Sequence, residues 1–225
     1  MKKFVIAIDG PAGAGKGTIA KIISKKLGFL YVDTGAMYRA LTLKAMQEKI
    51  PFRDEKKLIK MAQNTKIELL QTKGNYRVIL DGKDVSEEIR TEEVSKNSNY
   101  IASIYKIREI MWNIQRNYRK KYNLVMEGRD IGSIVFPDAQ LKIFLDASVS
   151  ERAKRRYLQL KEKGMRVSLK RIKKEIIERD KKDKNRKIAP LLKMPDAVYI
   201  DSTKMTIEEE VRKIINLYKN MRKFK

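Results

Sequence analysis

The segment Gly10-Pro11-Ala12-Gly13-Ala14-Gly15-Lys16-Gly17-Thr18 begins directly after the apolar run Phe4–Ile8. A buried strand that empties into a glycine loop and then a helix builds an anion cradle at the strand's carboxyl end. Gly10, Gly13 and Gly15 let the backbone take conformations closed to other residues and approach an anion closely. The loop N–H groups then point inward, and the helix starting near Lys16 adds its positive end. Lys16 has the reach to meet the outer phosphates of a nucleoside triphosphate. One departure from G-x-x-x-x-G-K-S/T is visible: Gly17 follows the lysine, and the hydroxyl residue Thr18 comes one place later.

The composition narrows the chemistry. The 225 residues include no cysteine and no histidine. Disulfides, thiolate zinc sites, thiol nucleophiles, Ser-His-Asp catalysis and a histidine base are therefore excluded. What remains is Lys, Arg, Asp, backbone amides and a bound metal. Phosphoryl transfer suits that kit, because it rests on positioning and charge stabilisation. The length fits one core domain with inserted lobes. Asp9 interrupts the first apolar run after five residues, too early for a signal-peptide core. No apolar run reaches the roughly 18 residues of a membrane span. The expectation is a cytoplasmic enzyme with no membrane partner.

The net charge is +24, which favours anionic ligands. The excess is uneven. Between Arg152 and Lys187 stand seventeen Lys and Arg against five Asp and Glu. A nucleic-acid-binding protein that uses ATP as a switch would need a separate basic face.

Apolar runs alternate with helical periodicity, which predicts an α/β fold with a largely parallel sheet. Strands are expected at Phe4–Ile8, Phe29–Val32, Asn123–Met126, Leu141–Leu145 and Ala197–Ile200. Helices are expected at Lys16–Leu27, ended by Gly28, at Ala36–Lys49 and at Glu55–Asn64. Lys66–Thr72 and Tyr76–Leu80 alternate like a hairpin around a turn at Lys73–Asn75, with a short strand at Lys83–Val85. Glu88–Tyr118 reads as helix in two pieces. Basic helices follow at Glu151–Lys163 and Ser168–Asp183, separated by Gly164. Asp201-Ser202-Thr203 is expected to cap a last helix running to about Tyr218.

In such a sheet, ligands bind beyond the carboxyl ends of the strands. Asp9-Gly10, Asp33-Thr34-Gly35, Glu127-Gly128-Arg129-Asp130 and Asp146 are the polar groups there. Gly128 and Gly132 flank the Arg129-Asp130 pair and read as points of close ligand approach. Arg152, Arg155 and Arg156 stack about one turn apart. Arg179, Asp183 and Arg186 are spaced by four and three, again on one face. Beside a phosphate cradle these helices read as a lid whose arginines close over the triphosphate.

Five stretches now carry a resemblance: residues 8–18 (IDGPAGAGKGT), 33–40 (DTGAMYRA), 78–94 (VILDGKDVSEEIRTEEV), 128–148 (GRDIGSIVFPDAQLKIFLDAS) and 178–191 (ERDKKDKNRKIAPL). From about Val5 to the last helix, the chain resembles the bacterial-type cytidylate kinases, a family of nucleoside monophosphate kinases. The displaced Thr18 fits the GKGT variant of that superfamily. The resemblance implies a phosphate-loop core at residues 1–65, 106–150 and 188–225. It implies a monophosphate-binding insert at 66–105, part antiparallel sheet and part helix, and a basic helical lid at 151–187.

It also implies the reaction: ATP with Mg2+ donates its γ-phosphoryl group to CMP or dCMP. Gly10 through Thr18 would hold the ATP phosphates, and Lys16 would follow the transferring group. Thr34, Arg129, Asp130 and Arg179 would recognise cytosine and the CMP phosphate. Tyr38, Arg39 and Arg108 would line the monophosphate site, and Asp183 and Arg186 would contact the sugar. Arg152, Arg155 and Arg156 are unranked lid candidates. Glu127 stands where Asp is frequent in the family, and Thr34 where Ser is frequent. No magnesium ligand is fixed by the sequence, with Thr18, Asp33 and Asp146 as outer-sphere candidates. The expected state is a monomer acting on small molecules. A kinase of the same fold with another acceptor is the nearest rival reading.

Overall fold

The computed structural model describes residues 2–72, 75–162 and 164–223. The expected turn at Lys73-Gly74, and Lys163 at the end of the first basic helix, lie outside the described residues. In chain order the elements are β1 (Val5–Asp9), α1 (Lys16–Leu27), β2 (Leu30–Asp33), α2 (Thr34–Gln47) and α3 (Glu55–Gln63). Then come β3 (Ile67–Thr72), β4 (Asn75–Leu80), β5 (Lys83–Asp84), α4 (Glu92–Ser103) and α5 (Tyr105–Tyr118). The chain continues with β6 (Leu124–Gly128), β7 (Leu141–Asp146), α6 (Val149–Glu162), α7 (Leu169–Asn185), β8 (Val198–Asp201) and α8 (Ile207–Lys223).

Five strands form a sheet in the order β2-β6-β1-β7-β8, and every pairing is parallel. A parallel sheet is covered on both faces, which is why β1 is apolar without alternation. Successive side chains still go to opposite faces. Val5, Ala7, Val32, Leu124 and Met126 pack with Met37 and Leu41 of α2, Leu58 of α3 and Ile107 and Met111 of α5. Ile6, Ile8, Val125, Ile143 and Leu145 pack with Ile19 and Ile23 of α1 and Val211 and Ile214 of α8.

The antiparallel sheet β3-β4-β5 is not a separate globule. Ile67, Leu69, Val78 and Leu80 join the first of these two cores. The edge strand β2 receives it through side chains: Tyr31 N–H donates to Gln71 Oε1 (2.9 Å) and Asp33 N–H to Tyr76 Oη (3.3 Å). The Tyr31 and Tyr76 rings lie 4.8 Å apart. The basic helices α6 and α7 have their own small core, Ala153, Leu160, Ile172 and Ile176.

Several boundaries differ from the sequence reading, α8 among them, which runs to Lys223 rather than to about Tyr218. Helix α2 starts at Thr34 rather than Ala36, because the Asp33 carboxylate accepts the Ala36 N–H (2.8 Å) and caps it. Asp201-Ser202-Thr203 does not cap α8. Thr203 Oγ1 accepts Ser148 N–H instead (2.8 Å), and Asp201 is turned onto Thr203. The cap of α8 is a reciprocal pair: Thr206 N–H donates to Glu209 Oε2 (2.9 Å), and Glu209 N–H to Thr206 Oγ1 (3.3 Å). Residues Ile131–Val135 form a single π-helical turn, an element with no periodicity to announce it.

Gly10 is where β1 turns into the loop, at φ +152°. A Cβ there would lie 1.9 Å from the carbonyl oxygen of Leu145 on the neighbouring β7. Gly10→Ala is therefore expected to lower stability by roughly 2–4 kcal/mol, read from denaturant unfolding. An unchanged unfolding midpoint would contradict this packing.

Candidate functional site

The glycine loop wraps the N-terminus of α1, with Gly13 at φ +79° and Gly15 at +91°. No L side chain holds those angles cheaply, so the loop's open shape depends on glycine there. Lys16 is buried, and its Nζ donates to the carbonyl of Pro11 (2.8 Å). Burial and the Arg129 guanidinium push the Lys16 ammonium down to about 7, against the pull of Glu127, Asp183 and Asp9. Burial and the Asp33 carboxylate push Glu127 up to about 7.

The strand ends are tied together by their polar residues. Asp9, buried at the end of β1, accepts Ile131 N–H on Oδ1 (2.9 Å) and Gly132 N–H on Oδ2 (2.7 Å). It thereby caps the π-helical turn that follows β6. Thr34 donates its hydroxyl to the Glu127 carbonyl (2.8 Å), linking the start of α2 to β6. Arg39 pairs with Asp33 at 3.1 Å. The close approaches expected of a ligand at Gly128 and Gly132 are made by the protein itself. A Cβ at Gly128 would meet Thr34 Oγ1 at 2.6 Å and Ile131 Cδ1 at 2.7 Å. At Gly132 it would meet Lys142 Cδ at 3.2 Å and Asp9 Oδ2 at 3.4 Å. These glycines admit side chains of neighbouring strands and the turn.

Arg129 and Asp130, adjacent in sequence, take different partners. Arg129 Nε donates to Asp183 Oδ2 of α7 (2.8 Å), and Arg186 Nη1 lies 3.8 Å from Asp183 Oδ1. Asp130 is buried and accepts Arg108 Nη1 (3.0 Å) and Trp112 Nε1 (2.8 Å) on one oxygen, Oδ2. The Arg108 guanidinium lies 5.4 Å from the Tyr38 ring centre. Cations are crowded here. Burial and Arg129, with smaller contributions from Arg39 and Arg156, push Arg179 down to about 10. Burial and Arg108 do the same to Arg186, opposed by Asp130 and Asp183.

Among the described residues, Tyr38 Oη, Arg179 Nε and Arg186 Nη2 are buried with no hydrogen-bond partner in the protein. An orphaned buried donor costs about 1–3 kcal/mol, so three around one cluster of cations mark a place shaped for an anionic ligand. A cavity of about 580 Å3 opens beside it between α4 and α7, lined by Asn99, Ala102, Ser103, Glu178, Asp183 and Arg186 among others.

The three arginines of α6 separate by their partners. Arg152 is buried, donating to Ala147 and Ala12 carbonyls and bidentately to Asp180 (3.1 and 2.6 Å). Arg155 donates to Glu151 and to Ser202, and reaches the Ala14 carbonyl at 3.5 Å. Both guanidinium groups therefore hold α6 against the glycine loop. Among the described residues, Arg156 makes no hydrogen bond or ion pair, and it faces the Arg179 cluster closely enough to depress it.

Sequence reasoning missed Asp180, Trp112 and the double acceptance by Asp9. The Asp9 position, at a strand end before the loop, was a usable signal. Asp180 lies within a densely charged helix, and Trp112 falls among the apolar residues of an amphipathic one, so neither carries a local signal.

Asp9 offers a test by titration. Burial is the largest influence on its carboxyl and raises it from 3.8 to about 6. An acid held above its unfolded value stabilises the fold fully below about 3.8, and this contribution is lost as pH rises through about 6. Asp9→Asn cannot titrate. The unfolding free energy of the natural chain relative to Asp9→Asn is thus expected to fall by up to about 3 kcal/mol between pH 4 and pH 7. A pH-independent difference would show that Asp9 carries no such shift.

Comparison with known proteins identifies the family. The family described as cytidylate kinase matches residues 6–220. A cytidylate kinase of Alkaliphilus oremlandii is 50% identical over 98% of this chain and all of its own. One from Caldicellulosiruptor saccharolyticus is 48% identical over 97% of this chain and 96% of its own. A solved structure of an uncharacterized protein from Eubacterium ventriosum shares the fold at 15% identity, with a TM-score of 0.52, covering 96% of this chain and 98% of that one. Identity near one residue in two, sustained from the first strand to the last helix, admits one assignment: the chain belongs to the cytidylate kinase family.

Proposed function

We propose that this chain transfers the γ-phosphoryl group of ATP to CMP or dCMP, giving ADP and CDP or dCDP. The observation that carries the reading is the convergence of Lys16, Arg129, Arg179 and Arg186 around Asp183, with buried donors that no protein acceptor meets. Such a cluster is costly unless an anion of high charge neutralises it.

In this reading, Gly10 to Thr18 cradle the ATP phosphates with backbone N–H groups. A phosphate oxygen of CMP attacks the γ-phosphorus, and the bond from that phosphorus to the β-phosphate bridging oxygen breaks. Lys16 leaves the Pro11 carbonyl to follow the transferring group. Arg39, Arg129 and Arg179 hold the acceptor phosphate, and Arg156 is the lid arginine left to meet the transferring one. Arg152 and Arg155 act by position, holding α6 against the loop. Asp130 and Arg108 read the cytosine edge with Thr34, while Tyr38 lines the acceptor pocket. Asp183 and Arg186 meet the sugar. Residues 66–105 act as the monophosphate-binding lobe and 151–187 as the lid, set on the core formed by 1–65, 106–150 and 188–225.

No cluster of three or more acidic residues among the described ones is placed to hold a metal by itself. This fits an ion carried in mainly by phosphate oxygens and waters, with Thr18, Asp33 and Asp146 at its periphery. Bound there, Mg2+ would offset phosphate charge as the transition state forms. No helix among the described residues is long and apolar enough to cross a membrane. Action on small molecules, as a cytoplasmic monomer without a nucleic-acid partner, completes the proposal.

The test is a coupled ADP-release assay across CMP, dCMP, UMP, AMP and GMP. Fast turnover is expected with CMP and dCMP alone. Preference for another acceptor would overturn the pocket assignment. Lys16→Ala is expected to lose at least roughly 100-fold in kcat while unfolding near the natural midpoint. Undiminished turnover in that variant would remove Lys16 from the mechanism.

A further inference from the structure

Asp130 is held by two donors from one helix. Arg108 and Trp112 are four residues apart on α5, so their side chains emerge on the same face. Both end on Asp130 Oδ2, the guanidinium at 3.0 Å and the indole N–H at 2.8 Å. All three side chains are buried. The Arg108 Nε also donates to the carbonyl of Ala102 (2.6 Å), a residue that lines the 580 Å3 cavity. The Trp112 ring is seated edge-on against Tyr105, with centres 6.1 Å apart.

The charge of Asp130 is already met by Arg108. A second, uncharged donor adds direction instead. An indole N–H is a single fixed donor that neither titrates nor rotates freely. Two donors converging on one oxygen pin that oxygen and with it the plane of the carboxylate. Oδ1 is then presented in one orientation, engaged by neither of them. Without the indole, the carboxylate keeps its ion pair but regains torsional freedom about its last bond, which is broad for an aspartate.

We propose that Trp112 is a positioning residue for nucleotide recognition: its indole N–H fixes the Asp130 carboxylate so that Oδ1 faces the acceptor base. This rests on the proposed role of Asp130 at the cytosine edge. Nothing about Trp112 in the sequence predicts it, since a leucine or valine would satisfy the same apolar periodicity. Binding of the base would alter the surroundings of the indole, and Trp112 is the chain's single tryptophan.

The test is steady-state kinetics on the full chain with Trp112→Phe, Asp130→Ala and the double variant. Trp112→Phe keeps an aromatic ring and deletes the N–H. KM for CMP is expected to rise on the order of five- to tenfold, with a smaller change in kcat and in KM for ATP. The double variant is expected to be no worse toward CMP than Asp130→Ala alone, because the two act through one group. A loss in Trp112→Phe that is equal for CMP and ATP, or that adds fully to Asp130→Ala, would mark Trp112 as core packing only and overturn the proposal. Should Asp130→Ala leave KM for CMP unchanged, the reading of Asp130 fails and the role of Trp112 falls with it. Should Asp130→Ala raise it while Trp112→Phe does not, the proposal for Trp112 alone fails. Tryptophan fluorescence of the natural chain, titrated with CMP, gives an arm that needs no variant. A saturable change at the KM concentration is expected, and invariant emission at saturation would count against the indole's place beside the base.

Discussion

Where the parallel strands end, Lys16 and the guanidinium groups of Arg39, Arg108, Arg129, Arg179 and Arg186 gather in a poorly hydrated space. Like charges so close repel strongly in low dielectric, and carboxylates interleaved among them offset that repulsion. Asp183 serves both Arg129 and Arg186, Asp130 serves Arg108, and Asp33 serves Arg39. Each carboxylate comes from a different element. Strand β2, the turn after β6 and helix α7 must therefore be in register for the charges to balance. The compensation is incomplete, as the depressed Arg179 and Arg186 and the orphaned donors show. That residue of positive charge is what a nucleotide's phosphates would neutralise.

Buried guanidinium groups likewise link α6 to the glycine loop and to α7. Arg152 joins Ala12 of the glycine loop to Asp180 of α7, and Arg155 joins Ala14 to Ser202 after β8. One buried guanidinium thus ties α7 to the loop. Two of three neighbouring arginines on α6 are occupied by such contacts, and the third, Arg156, is engaged by no hydrogen bond or ion pair among the described residues. Charge alone does not separate these roles; burial and carbonyl partners do.

Much was legible in the chain. The strand at Val5–Asp9, the loop, the helix closed by Gly28, the antiparallel insert and the paired basic helices all follow from periodicity and glycine placement, since these are local constraints. Part of the candidate site was legible as a list, because Asp9, Asp33, Thr34, Arg129 and Asp130 lie at strand ends and Arg179, Asp183 and Arg186 on a recurring helix spacing, whereas Tyr38, Arg39 and Arg108 came only with the family resemblance. Its wiring was not. Arg129-Asp130 read as one unit but is split between α7 and α5. Gly128 and Gly132 read as openings for ligand yet admit Thr34, Ile131, Lys142 and Asp9. The cap of α8 falls at Thr206, three to five residues beyond the expected Asp201-Ser202-Thr203, because Thr203 is drawn to Ser148 by a contact no local window contains.

The sequence by itself determined the fold class, the phosphate cradle and the family, because glycine conformations, strand burial and motif spacing are written in neighbouring residues. Only the tertiary structure decided which arginines remain available for a ligand, that Asp9 caps the turn after β6, and that Trp112 shares Asp130 with Arg108. Those outcomes depend on distances between segments far apart in sequence, 140 residues in the case of Ala12 and Arg152. A side chain's partner is settled by packing, which no local pattern encodes.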